Sequence, residues 1–125
     1  MIEIIGYLHA AVVVSNLDRA IEFYTNILGL ERIDRQLKYP GAWYQIGDFQ
    51  LHLIENTNER YSDNINLNIS TRNPHIALAV RDLDAAKQQL LAANRIVKMS
   101  NSGRAALFTQ DPDGNAIELT WIGGE

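Results

Sequence analysis

Cysteine is absent from this 125-residue chain, which removes disulfides and thiolate-held metals from consideration. Glycine is sparse, eight in all, and follows none of the spacings of a phosphate loop, a nucleophile elbow or a dinucleotide fingerprint. No apolar run approaches the roughly 20 residues that cross a bilayer. Basic residues are in the minority: 11 Lys and Arg against 15 Asp and Glu leave a net charge of −4. Nucleic acid is therefore disfavoured as a partner, because binding it takes a basic stripe that releases counterions. Met1-Ile2-Glu3-Ile4-Ile5-Gly6 lacks the basic segment and long apolar run of a signal peptide, so the expected location is the cytoplasm. Asn68-Ile69-Ser70 matches the glycosylation pattern and, without secretion, is a chance match. What remains is a composition of 46% hydrophobic and 21% charged residues, that of a globular domain long enough to bury a core.

Histidine is scarce too, with three in the chain, and their placement organises the rest. Leu8-His9-Ala10-Ala11-Val12-Val13-Val14-Ser15-Asn16-Leu17-Asp18 recurs 66 residues later as Pro74-His75-Ile76-Ala77-Leu78-Ala79-Val80-Arg81-Asp82-Leu83-Asp84. The same offset carries His52 onto Glu118 and Leu53 onto Leu119. Each half thus holds a histidine and, 43 positions on, a second residue able to bind metal. Such self-similarity marks one module used twice.

Residues 7–14 read as a strand with His9, Ala11 and Val13 on one face and bulkier residues on the other. Ser15 and Asn16 supply helix-capping side chains, and Asp18 is placed to complete a Ser15-x-x-Asp18 box. Leu17, Ala20, Ile21, Tyr24, Ile27 and Leu28 recur at helical spacing before Gly29, a natural stop. Strands are expected at Leu30–Leu37, Ala42–Ile46 and Phe49–Ile54, with turns at Pro40-Gly41 and Gly47-Asp48. In the last of these His52 shares a face with Gln50 and Ile54. The first module is β-α-β-β-β, spanning about residues 7–55. A polar connector, 56–73, is long for a plain loop and is expected to cover a surface; Asn64–Ile69 alternates as a weak edge strand would. The second module, about 74–122, repeats the plan: a histidine strand, a helix capped by Asp82 with the stripe Leu83, Ala86, Leu90 and Ala93, a strand at Ala105–Thr109, the turn Asp111-Pro112-Asp113-Gly114-Asn115, and a strand bearing Glu118. The fold class is α+β, one domain over 1–125 in two tandem βαβββ modules.

His9, His52, His75 and Glu118 supply three imidazoles and a carboxylate, a set suited to one Zn, Ni, Co, Mn or Fe(II) ion per site. Four such ligands in a six-coordinate site leave two positions open, the mark of a catalytic metal. Small residues beside all four suggest a concave surface able to hold a small molecule. Arg32, Arg35, Lys38, Lys98 and Arg104 are candidates for an anionic substrate, Arg104 foremost because Ser102-Gly103-Arg104 leads directly into a strand. Trp43 or Tyr44, on the strand expected beside His52, is a candidate to line the pocket.

With these motifs the chain resembles the vicinal oxygen chelate superfamily, which includes glyoxalase I, extradiol dioxygenases and bleomycin-resistance proteins. The likeness covers residues 7–122 and rests most on Leu8-His9, Phe23-Tyr24, Leu28-Gly29-Leu30, Pro74-His75-Ile76-Ala77, the Asp111–Asn115 turn and Ile117-Glu118-Leu119. It implies mixed sheets forming a cup around a divalent metal on His9, His52, His75 and Glu118. Bacterial glyoxalase I is similar at His9, His75 and Glu118 but has a glutamate where this chain has His52. The resemblance implies a lyase or isomerase acting on a small oxygenated substrate through a metal-stabilised enediolate, with Glu118 or His52 moving the proton. An Fe(II) extradiol-type dioxygenase and a non-catalytic binding or resistance protein are the alternatives. Exposed sheet edges and the resemblance both point to a homodimer, its sites built within one chain or across two.

Overall fold

The computed structural model describes residues 1–57 and 69–123; residues 64–68 of the expected edge strand lie outside them. Contacts divide the chain into two compact units, Met1–Tyr61 and Ser62–Glu125, each containing one of the sequence repeats.

The first unit runs β1 (His9–Val14), α1 (Leu17–Ile21), β2 (Glu31–Arg32), β3 (Gly41–Ile46) and β4 (Phe49–Glu55). Its sheet has the order β1-β4-β3-β2, with β1 parallel to β4 and the other pairs antiparallel. Apolar alternation selects the buried face: Val12, Val14, Leu51, Leu53, Ala42 and Tyr44 are all buried, and α1 packs against β3 and β4. The opposite face carries His9, Trp43 and His52.

Three details differ from expectation. Asn16, not Ser15, caps α1, its side chain accepting from the Arg19 N–H at 3.0 Å; Asp18 then falls in the first turn, where its charge suits the helix dipole. The helix is α only to Ile21 and widens to a π-helical stretch over Glu22–Ile27, with the Leu28 N–H on the Phe23 carbonyl at 2.9 Å. Phe23 and Tyr24, adjacent in sequence, are both buried there, and the Thr25 hydroxyl meets that of Tyr44 at 2.8 Å. The strand expected over Leu30–Leu37 is confined to Glu31–Arg32. After the Ile33 N–H meets the Trp43 carbonyl at 2.8 Å, the chain leaves the ladder and the Arg35 guanidinium lies over the Trp43 ring, 4.3 Å from its centroid.

The second unit runs β5 (His75–Val80), α2 (Leu83–Ala92), β6 (Lys98–Met99), β7 (Ala106–Gln110) and β8 (Ala116–Trp121). The order β5-β8-β7-β6 repeats the first sheet, with β5 parallel to β8. The fold is therefore α+β, two four-stranded mixed sheets in tandem βαβββ modules. Asp82 caps α2 through the Ala85 N–H at 3.0 Å, and α2 packs against β7 and β8. Asp111, buried at the β7–β8 turn, accepts from the Asp113 and Asn115 N–H groups at 2.9 and 2.8 Å. On the other face of this sheet Ile69, at the end of the connector, packs with Phe108 and Ala116.

Candidate functional site

In each sheet the second residue of the repeat sits on the central strand. His52 lies between Ala11 on β1 and Trp43 on β3; Glu118 lies between Ala77 on β5 and Phe108 on β7. A small residue on one side and an aromatic ring on the other define both places. The four candidate ligands come together as two pairs, each inside its own unit. Among the described residues no group of three or more His, Asp or Glu side chains converges as a metal cluster.

The pair in the second unit is close. His75 Nε2 lies 3.1 Å from Glu118 Oε1, and His75 Nδ1 lies on the Asn73 carbonyl. A carbonyl only accepts, so Nδ1 carries a proton and Nε2 is the nitrogen that faces the carboxylate. Two acceptors at that distance call for a cation between them, either a proton on Nε2 or a metal ion. The spacing suits both: N–H···O hydrogen bonds span about 2.7–3.2 Å, and ligand bonds of about 2.1 Å at right-angle to tetrahedral geometry put ligand atoms roughly 3.0–3.4 Å apart. A histidine tied through its other nitrogen to a carbonyl is also the usual outer support of a metal ligand.

Glu118 is 5% exposed. Burial alone raises its pKa, but hydrogen bonds from Thr120 and Arg104, with the charges of Arg104 and His75, outweigh it and hold the carboxyl below its ordinary range. Arg104 Nη1 reaches Oε2 at 3.2 Å while its side chain stays 48% exposed; the Thr120 hydroxyl donates to the same oxygen. Beside Arg104 a small cavity of about 60 Å³ is lined by Ile69, Ser70, Lys98, Ser100, Ser102 and Phe108, among others.

The first unit's pair is built differently. His9 and His52 stack, centroids 4.0 Å apart and planes 16° from parallel. Trp43 covers the neighbouring strand position, its ring 3.8 Å from His52 at 2°. With Arg35 over Trp43, guanidinium, indole and two imidazoles form a column across the sheet. Imidazole lone pairs lie in the ring plane, so those of two stacked rings run side by side instead of converging on one ion. One ring must turn before both could hold the same metal. Burial first, then the positive charges of His9 and Arg35, lower the His52 pKa.

Arg104, Trp43 and Arg35 among the sequence candidates therefore meet site residues. Gln50, Thr120 and Asn73 are not among those candidates. Each contacts a site residue exactly two positions away in the chain, so strand periodicity was the signal that could have found them.

Residues 6–119 match the Glyoxalase/Bleomycin resistance protein/Dioxygenase superfamily. The chain belongs to that superfamily. Within it, a probable lactoylglutathione lyase of Vibrio cholerae is 33% identical over 123 residues, covering 90% of this chain and 87% of the relative. A lactoylglutathione lyase of Arabidopsis thaliana is 26% identical over 122 residues. The match takes in 90% of this chain but 43% of the Arabidopsis protein, so the chain spans less than half of that relative's length. TnmS3, an antibiotic binding protein from Streptomyces sp. CB03234, shares the fold with a TM-score of 0.70 at 23% identity, over 98% of this chain and 100% of that one.

Proposed function

We propose that this chain is a glyoxalase-type lyase that holds a divalent ion on His75 and Glu118 and moves a carbon-bound proton of a small substrate bearing two adjacent oxygens. The observation that carries this reading is the His75–Glu118 pair, 3.1 Å apart with the imidazole tied through Nδ1 to Asn73. Similarity to lactoylglutathione lyases supports α-keto hemithioacetals as the substrate class. A divalent ion at this pair supplies a Lewis acid that lowers the cost of negative charge on substrate oxygens. Glu118, ionised at neutral pH, is the proton acceptor, and Thr120 and Arg104 fix the orientation of its carboxylate. The same two donors weaken it as a base. Arg104 is half-exposed, so an anionic group on the substrate that draws it away restores basicity to Glu118. His52 is the second acid–base group.

The test is turnover of an α-keto hemithioacetal in deuterated water by protein loaded with nickel, zinc or cobalt. Deuterium should enter the product, and Glu118→Gln, which cannot take up the proton, should lower kcat by roughly 10²–10⁴-fold. Oxygen uptake with a catechol, and no hemithioacetal product, selects dioxygenase chemistry instead. One observation favours a second reading, a small-molecule binding protein without turnover: the column Arg35–Trp43–His52–His9 presents a flat aromatic wall. Tight binding of a planar aromatic ligand together with inert hemithioacetals selects that reading.

A further inference from the structure

We infer that Gln50 is a positioning residue that holds His52 as the Nε2–H tautomer, clamped in its ring column and kept off the metal. The part concerning the metal rests on the function proposed above. The tautomer follows from a chain of amides that can be read in one direction only. Gln45 directs one amide atom at two backbone carbonyls, those of Gly47 at 2.7 Å and Phe49 at 3.3 Å. Carbonyls accept, so that atom is the Gln45 NH₂, and its oxygen faces Gln50. At 3.2 Å from that oxygen Gln50 must offer its own NH₂, which leaves Gln50 Oε1 facing His52 Nε2 at 2.8 Å. An amide oxygen only accepts, so Nε2 carries the proton. Turning either amide over would set oxygen against oxygen.

The arrangement is the reverse of that around His75. There Nδ1 is tied to Asn73 and Nε2 faces Glu118; here Nε2 is tied and only Nδ1 is left with a lone pair. The ring is also held on both faces, by His9 and Trp43, and Trp43 is itself anchored by its Nε1–H on the Tyr39 hydroxyl at 3.1 Å. The tether belongs to the first module alone: the repeat places Ala116 where Gln50 stands, so Glu118 has no counterpart to it. Holding His52 still also fixes the plane against which the exposed His9 ring stacks.

Three histidines make the experiment direct. Long-range proton–nitrogen spectra of the ¹⁵N-histidine-labelled, metal-free protein should show His52 protonated at Nε2 and His75 protonated at Nδ1. Gln50→Leu, which removes the acceptor oxygen, should release His52 into a mixture of tautomers. A His52 ring protonated at Nδ1 in the parent, or one indifferent to Gln50→Leu, overturns the inference. On adding zinc, a ring nitrogen of His75 should shift as a ligand does while His52 keeps its metal-free pattern. A metal-bound nitrogen on His52 overturns the exclusion from the ligand set. If zinc shifts no histidine at all, the proposed function fails, and the tautomer is still decided by the first spectrum.

Discussion

His52 and Glu118 occupy equivalent places in the two sheets, and both have a pKa below the ordinary value, for different reasons. Burial, then neighbouring positive charge, disfavours the imidazolium of His52. Around Glu118 burial works the other way and is outweighed by the hydrogen bonds and charge of its partners. The consequences for stability have the same sign. Between the folded and the ordinary pKa the unfolded chain binds the extra proton, so stability rises with pH across that interval. In the metal-free protein acid should therefore weaken the fold in two stages. The first begins as pH falls below 6.5, the ordinary value for His52, and the second below 4.5, that for Glu118. Urea unfolding at a series of pH values should show both, and His52→Phe, which keeps a stacking ring without a titrating nitrogen, should flatten the first. An unchanged slope in that variant would mean that another group titrates there.

At the scale of elements, much was legible in the sequence because period-two and helical spacing depend on local residues and on which face is buried. The strands bearing His9, His52, His75 and Glu118, both helices and the Asp111 turn all follow from that. What was not legible depends on partners distant in the chain. The stretch Leu30–Leu37 has the composition of a strand, but its length is set by where β3 stops pairing with it and by the reach of Arg35 to Trp43. Ring orientations and tautomers belong to the same class, because the Asn73 carbonyl and the Gln45–Gln50 chain decide them and periodicity does not. The Ser15-x-x-Asp18 spacing points to a box at Ser15; the extended backbone of Asn16 and its bond to Arg19 put the cap one residue later. Asn16→Ala and Asp82→Ala should each cost about 1 kcal/mol in urea unfolding, whereas Ser15→Ala should cost less than either. A larger loss at Ser15 than at Asn16 would return the cap to Ser15.

For the whole molecule, one repeated module yields two unlike halves. The offset of 66 residues is kept by β1 and β5 and by β4 and β8, yet Trp43 and Phe108, which flank the equivalent sites, stand 65 apart. The aromatic next to the central residue is thus preserved in space and not in register, and it stacks on His52 in one module but meets His75 edge-on at 5.6 Å in the other. Within its own sheet β1 pairs on one side only, and Ile2, Ile4, Ile5 and Leu8 ahead of it are exposed. Unpaired strand edges and apolar arms invite a partner, and sedimentation at micromolar concentration is expected to give twice the 14.1 kDa chain mass; a monomer mass would rule the dimer out. The most direct test of the proposed centre is competition for nickel between the metal-free protein and a chromophoric chelator. The parent should bind the ion and His75→Ala should bind it more weakly by upwards of about 100-fold, while His52→Phe should stay close to the parent. Equal affinity in the parent and His75→Ala would contradict a metal held on the His75–Glu118 pair.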